Sequence, residues 1–264
     1  MKMIEFDKYR LNNKVGICGA PIYVFNELES TQKFLIENWK ELPIQSGVLA
    51  KIQTNGVGRR EKSWCQVPGK DLALSFKIKI NPEISNAYLA QQISFALREY
   101  IEAQFKLKTD LKWANDLYFN TSKLAGLILQ KVSDDTVLAG VGVNLNSNEE
   151  VRNQHSKELA SRKTISIGEI LEKQIDVIEF GVGFLNYLST LQYLILKKGS
   201  TAIPELLAEF FTDKVMPLKF KENNHSDWEA GELLGITEVG DMVVKLKEKR
   251  LLKVLRNPWD FEYH

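Results

Sequence analysis

Two groups of residues have types and spacing suited to chemistry on anions. The first is the stretch Gln53–Trp64, which reads Q-T-N-G-V-G-R-R-E-K-S-W. Gly56 and Gly58 allow a tight turn with its N–H groups presented, and Arg59, Arg60 and Lys62 place three cations within four positions. Such a loop can close over a carboxylate or a phosphate; a solvated surface turn has the same composition. The second group lies on two short strands around Asn120-Thr121-Ser122, Leu117–Phe119 and Lys123–Leu129. A hairpin there makes Asp116 and Lys123 neighbours on either side of the turn. They form either a surface salt bridge or a carboxylate and an ammonium fixed at the rim of a pocket. A further strand, Val137–Asn146, contains Gly140 and Gly142, and glycines within a strand mark close approach of a ligand or another backbone. Asn144 and Asn146 at its end can hydrogen-bond a group in the mouth of the sheet.

The elements that must hold these groups follow from periodicity. Gly47–Ile52 is an apolar run short enough for a buried strand, and it feeds the glycine-arginine loop. Residues 1–20 read as a polar lead, Ile22–Phe25 as the first strand. Ser30 or Thr31 is placed to cap a helix carrying Phe34, Leu35 and Trp39; the same hydroxyls and first-turn N–H groups can line a polar pocket. Leu72–Ile78 alternates, with Leu72, Leu74, Phe76 and Ile78 on one face. A long helix is predicted from Ser85 to Phe105, its stripe of Leu89, Ile93, Leu97, Ile101 and Phe105 packing on a sheet. Residues 147–163 are charged and read as a loop. Two helices over 167–180 and 181–198 and one from Pro204 follow. From Lys214 the texture changes to short β pieces, Pro217–Phe220, Trp228–Ile236 and Met242–Leu246, spaced as in a small barrel.

The totals exclude several classes. A chain of 264 residues, 44% hydrophobic and 26% charged, can bury one large domain with a smaller appendage. With 35 Lys and Arg against 34 Asp and Glu, it lacks the basic excess of a dedicated nucleic-acid binder, so an RNA-binding role for the basic loop fits poorly. Cys18 and Cys65 show no metal-ligand spacing, and the histidines are few and scattered at 155, 225 and 264. A reduced, cytoplasmic setting is expected. The first residues lack a signal-peptide core, and no stretch reaches the roughly 20 apolar residues of a membrane span.

Taken together and in order, G-x-G-R-R-x-x-x-W, K-W-x-N-D, K-L-A-G and G-V-G-V-N resemble the motifs of the biotin protein ligases. E-S-T-Q at 29–32 is similar to that family's E/D-S-T-N, and Gln53 stands where the family often has glutamine. The resemblance implies an α+β fold: a mixed sheet flanked by helices over residues 1–212, then an SH3-like β-barrel over 213–264. It implies a ligase that activates biotin with ATP and Mg²⁺ to biotinyl-5'-AMP, then transfers it to a lysine of a biotin carboxyl carrier protein. Ser30, Thr31 and Gln53 would hold the ureido head, joined by Gln32, while Gly56, Gly58, Gly126 and Gly142 would let backbone approach the ligand. Arg59 and Arg60 would neutralise carboxylate and phosphates, with Lys62, Trp64, Asn115 and Asn144 also facing the nucleotide. Lys123 would grip the biotin carboxylate and bridging phosphate oxygens. Asp116 would orient the attacking amine or assist Mg²⁺, with Asn144 the other candidate metal contact. In this family a loop near 147–163 covers the adenylate. The sequence departs from the family pattern at Val57, Glu61, Lys62, Ala114 and Gln32, which bears on how tightly the adenylate is retained. Alternatives are a lipoate ligase and a non-catalytic biotin-adenylate binding protein. About 20 residues precede the first expected strand, against roughly 50 for a domain, so no separate DNA-binding domain is expected. A homodimer through strand edges stays open.

Overall fold

The computed structural model describes residues 6–10, 20–58, 63–82, 86–112, 115–155, 163–198, 216–222, 229–237, 241–246, 252–255 and 259–263. Two compact units emerge, Met1–Pro82 with Ile93–Tyr193 and Glu83–Gln92 with Leu194–His264.

Alternation along two central strands sets the layers of the first unit. In β4 (Leu72–Lys79) and β8 (Thr136–Val143), paired antiparallel, Leu72, Leu74, Phe76, Val141 and Val143 share one face. Ala73, Ser75, Lys77, Leu138, Gly140 and Gly142 share the other. The remaining strands are β1 (Phe6–Arg10), β2 (Pro21–Leu28), β3 (Gly47–Gln53), β5 (Asp110–Lys112), β6 (Asp116–Phe119) and β7 (Ser122–Ser133). The sheet order is β1-β2-β3-β4-β8-β7-β6-β5. Only β2 and β3 run parallel, joined by helix α1 (Thr31–Asn38), so the sheet is mixed.

The large-residue face is covered by helices. α5 (Val177–Lys198) and the part of α2 (Asn86–Phe105) from Ile93 onward meet there through aromatic rings. Tyr100 lies edge-on to Phe180 at 5.2 Å between centroids, and Phe184 meets Phe76 at 6.3 Å. The other face takes α1, whose Leu35 packs with Phe25, Leu28, Val48, Ala50 and Leu138. α1 begins where the Ser30 hydroxyl accepts from Lys33 N. Past its end, Lys77 Nζ donates to the Trp39 and Leu42 carbonyls at 2.7 and 2.9 Å. The helices therefore flank the sheet as expected.

The second unit contains a five-stranded antiparallel sheet, ordered β12 (Leu252–Leu255), β11 (Met242–Leu246), β10 (Glu229–Ile236), β9 (Met216–Glu222), β13 (Trp259–Tyr263). Val244 and Leu246 are buried in it. The three β pieces expected from Lys214 onward correspond to β9, β10 and β11, while Trp228 and the helix expected from Pro204 lie outside the described residues. No helix among the described residues is long and apolar enough to cross a membrane.

Three expectations change. The polar lead holds a strand, β1, whose five residues pair antiparallel with Pro21–Phe25; an edge strand needs backbone pairing more than an apolar pattern. The 147–163 loop includes helix α3 (Glu149–His155). The helix break expected at 180/181 falls instead at 172–176, between α4 (Ile167–Leu171) and α5. Ser166 and Glu169 form a capping box that starts α4, and Glu172, at φ 51°, ends it. Gly181 and Gly183 lie inside α5 because neighbours occupy their Cβ space. A Cβ at 181 would stand 2.9 Å from Leu49 Cδ1, and one at 183 would run into the Tyr100 hydroxyl.

Candidate functional site

Because residues directly opposite in a ladder share a face, the register draws one line across the sheet. Lys112, Asp116, Gly126, Gly142 and Ala73 stand opposite one another on β5, β6, β7, β8 and β4. The next line is Ile128, Gly140 and Ser75. The α1 face of the sheet thus carries a shallow bed of glycine, alanine and serine with polar groups at its edges.

Along one edge the start of α1 meets β3 and β4. Gln53 Oε1 accepts from Thr31 N at 2.8 Å and from Thr31 Oγ1 at 3.1 Å, and Thr31 Oγ1 lies 2.9 Å from Ser75 Oγ. Gln32 is 4% exposed and donates from Nε2 to the Leu138 carbonyl at 3.4 Å. That bond fixes the amide orientation and leaves Oε1 above Gly140, where a Cβ would come within 2.8 Å of it. This oxygen is buried with no hydrogen-bond partner among the described residues. A buried amide oxygen in that state is a ready acceptor for a ligand N–H. Ser30, 2% exposed, is committed to capping α1.

The loop after β3 folds back on itself at its base. Trp64 N donates to Gly56 O at 2.9 Å, and Val57 bridges to Ser63. A Cβ on Gly56 would collide with the Trp64 carbonyl and come within 2.8 Å of Gln53 Nε2, so this glycine is required by close packing. Gly58 is half-buried. The Trp64 indole occupies the place of the side chain that Gly142 lacks, its Cε2 colliding with any Cβ built there, and its buried Nε1 has no partner among the described residues. Arg59, Arg60 and Lys62, with Glu61 and Ala114, lie outside the described residues.

At the other edge Lys123 Nζ donates to Asp116 Oδ2 at 2.7 Å, both side chains about one-fifth exposed. The hairpin turn that brings them together places Asn120 at φ 53°, a conformation asparagine tolerates. Gly126 opposite Asp116 makes room for the pair: a Cβ there would stand 3.1 Å from Lys123 Nζ and 3.2 Å from Asp116 Oδ1. Lys123 Nζ is also 6.0 Å from the Trp64 ring centroid, so the loop and the hairpin converge on one place. Asn115 and Asn144 are turned inward. Asn115 Nδ2 donates to Leu127 O; Asn144 Nδ2 donates to Lys123 O at 3.3 Å and Ile165 O at 3.2 Å. Asn146 braces Lys70 O and the Ile175 backbone.

Sequence reasoning passed over several supports of this site. Ser75 interrupts an apolar strand with a hydroxyl, and that was the available signal. Gln66 Oε1 accepts from Gln53 N at 2.9 Å, while its Nε2 donates to Ala50, Lys51 and Asp71 carbonyls. Asp71 accepts from Val67 N, Leu145 N and Ser147 N, pinning the end of β8 beside the bed. Burial pushes the Asp71 carboxyl up from its ordinary value, opposed by those hydrogen bonds.

Comparison with known proteins bears on the family and the fold. Residues 24–148 match the Biotin/lipoate A/B protein ligase family. The bifunctional ligase/repressor BirA of Bacillus spizizenii is 25% identical over 170 residues, covering 62% of this chain and 52% of its own. BirA of Escherichia coli is 29% identical over 132 residues, covering 48% of this chain and 41% of its own. The chain thus spans about half the length of the curated relatives it matches. In fold it is similar to the biotin protein ligase of Aquifex aeolicus solved with biotin and ATP. There the TM-score is 0.73 at 23% identity, over 92% of this chain and 99% of that one.

Proposed function

We propose that the protein is a biotin protein ligase, activating biotin with ATP as biotinyl-5'-AMP and passing it to a lysine of a biotin carboxyl carrier protein. The observation that carries this is the bed itself. It has an orphaned buried acceptor, Gln32 Oε1, at one end and the Lys123–Asp116 pair at the other. Two strand spacings and two residues of strand rise separate Gly140 from Asp116, roughly 12 Å by ordinary sheet dimensions. That span suits an acid whose polar, N–H-bearing head and carboxylate are joined by an aliphatic chain. The head would lie by Gln32, with Ser30, Thr31, Gln53 and Ser75 as its polar surround. The chain would run past Gly140 toward Gly126, with the Trp64 indole that covers Gly142 as an apolar neighbour.

A carboxylate is a poor electrophile and must first displace pyrophosphate from ATP. Lys123, at the carboxylate end, would draw the acid and the α-phosphate together and hold charge as it develops between them. Arg59, Arg60 and Lys62 would meet the phosphates, with Trp64 beside the nucleotide. Asp116 would then receive and orient the acceptor's lysine as Lys123 turns to the phosphate. The amine, having given up its extra proton to Asp116 or solvent, forms the C–N bond to the acyl carbon as the C–O bond to the phosphate breaks and AMP departs. Asn115 and Asn144 contribute by holding β6, β7 and the Lys123 backbone. Among the described residues no three His, Cys, Asp or Glu stand together, and Asp116 is engaged by Lys123. The described residues thus offer no all-protein cage for Mg²⁺; an ion arriving with ATP would be held mainly by the phosphates. Residues 1–212 would be the catalytic domain and 213–264 an SH3-like module; the five antiparallel strands between Met216 and Tyr263 support the latter.

The test is ATP–pyrophosphate exchange with biotin and, separately, lipoate, for wild type and Lys123→Ala. Biotin-dependent exchange that falls about 10²- to 10³-fold in the variant is expected. Exchange driven by lipoate instead, or tight biotin binding with no exchange, would overturn it.

A further inference from the structure

Arg152 is among the least exposed charged side chains described, at 1%, and the largest fully buried one. A guanidinium in such a place needs its donors satisfied and its charge met. All five N–H groups are used. Nε donates to Thr164 Oγ1 at 3.0 Å, and Nη1 donates to Ser147 O and to Ser147 Oγ. Nη2 donates to Thr164 O at 3.0 Å and to Glu169 Oε2 at 2.7 Å. Glu169 in turn accepts from Ser166 N at 2.9 Å and Glu149 N at 2.8 Å. One ion pair, fully buried at Arg152 and partly exposed at Glu169, thereby joins α3, the start of α4 and the segment 163–165.

That segment holds Lys123. Thr164 forms an isolated parallel bridge with Lys123: Lys123 N donates to Lys163 O at 2.9 Å, and Ile165 N donates to Lys123 O at 3.0 Å. The Asn144 amide donates to both Lys123 O and Ile165 O. Arg152 grips the middle residue of the bridge by both its hydroxyl and its carbonyl. An apolar side chain would fill the same volume but leave these acceptors, and the Glu169 carboxylate, without their partner.

We propose that Arg152 is a positioning residue for the reaction: through Thr164 it sets the backbone of Lys123, and so the place of the Lys123 ammonium. This rests on Lys123 being the cation of the acid-activating site. The Arg152–Glu169 pair is 17 residues apart in sequence, and the side-chain hydrogen bonds of Arg152 go to Ser147, Thr164 and Glu169, none of them a residue of the bed.

The experiment compares wild type, Arg152→Met and Thr164→Val in two readouts. The first needs no ligand: amide hydrogen exchange at Lys123 and Ile165, with Leu74 and Val141 in the central strands as references. The second is kcat and KM for biotin in pyrophosphate exchange, with Arg152→Met also made in a Lys123→Ala background. Both amides are expected to exchange at least about tenfold faster in Arg152→Met while the references hold. The value of kcat should fall about 10- to 100-fold with KM within about twofold, and Arg152→Met should add nothing once Lys123 is gone. Unchanged exchange at Lys123 and Ile165, or full additivity of the two substitutions, overturns the proposal. If Arg152→Met loosens every amide together, Thr164→Val decides, since it removes one acceptor and keeps the shape; a local increase supports, none refutes. A wild type without biotin-dependent exchange would sink the ligase assignment, and the amide readout would still settle whether Arg152 holds Lys123.

Discussion

Gln32→Met separates folding from binding at one atom. The folded chain buries Gln32 Oε1 without a partner among the described residues, which costs about 1–3 kcal/mol in desolvation. The substitution removes that cost and the single long Nε2–Leu138 O bond of 3.4 Å, a neutral bond whose net worth is at most about 0.5–1.5 kcal/mol. The balance favours the variant by roughly 1 kcal/mol, or about 2–4 °C in melting temperature for a unit of this size. Binding moves the other way. A ligand N–H that would have met Oε1 is buried facing a methyl or sulfur, at about 1–3 kcal/mol, which is roughly a 5- to 150-fold rise in Kd. Thermal melting without ligand and calorimetry with biotin measure the two signs separately. A variant that melts lower than wild type and binds biotin as tightly would refute the reasoning, since Gln32 would then be a satisfied structural residue.

Asp71 predicts a pH signature. Its folded pKa is raised by burial, so its contribution to stability is full below the ordinary carboxylate value and declines as pH rises through the folded value. Denaturant midpoints of wild type and Asp71→Asn between about pH 4 and 7 should show the wild-type advantage shrinking upward; an advantage that grows with pH would contradict this. The variant should also lose about 1–3 kcal/mol at any pH, because one of three backbone N–H donors would face an amide NH₂. In α5, Gly183→Ala forces its Cβ against the Tyr100 hydroxyl. Overpacking of about 1–3 kcal/mol should outweigh the roughly 1 kcal/mol gain in helix propensity; a chemical denaturation curve showing net stabilisation would mean that Tyr100 moves freely.

Local chemistry was legible in the sequence. Asp116 and Lys123 are seven residues apart across an Asn-centred turn, so strand spacing and turn type alone bring them together. Leu72, Leu74, Phe76 and Ile78 fall on one face because strands alternate, and the Ser30 cap and the short β pieces after Lys214 follow from similarly short-range rules. The four ordered motifs likewise fall within residues 24–148, the segment that matches the family. Long-range pairing decided the rest. Gln32 reaches the Leu138 carbonyl across 106 positions, and Thr31 meets Ser75 across 44; neither follows from a local period, because both depend on which strands neighbour α1. Gly142 read as a place where something comes close, yet only the sheet register shows that the Trp64 indole fills it. Arg152 looked like one more charge in a solvated loop. Its burial arises because Ser147, Thr164 and Glu169 together supply acceptors for every donor it has, and only the folded chain brings those acceptors into reach.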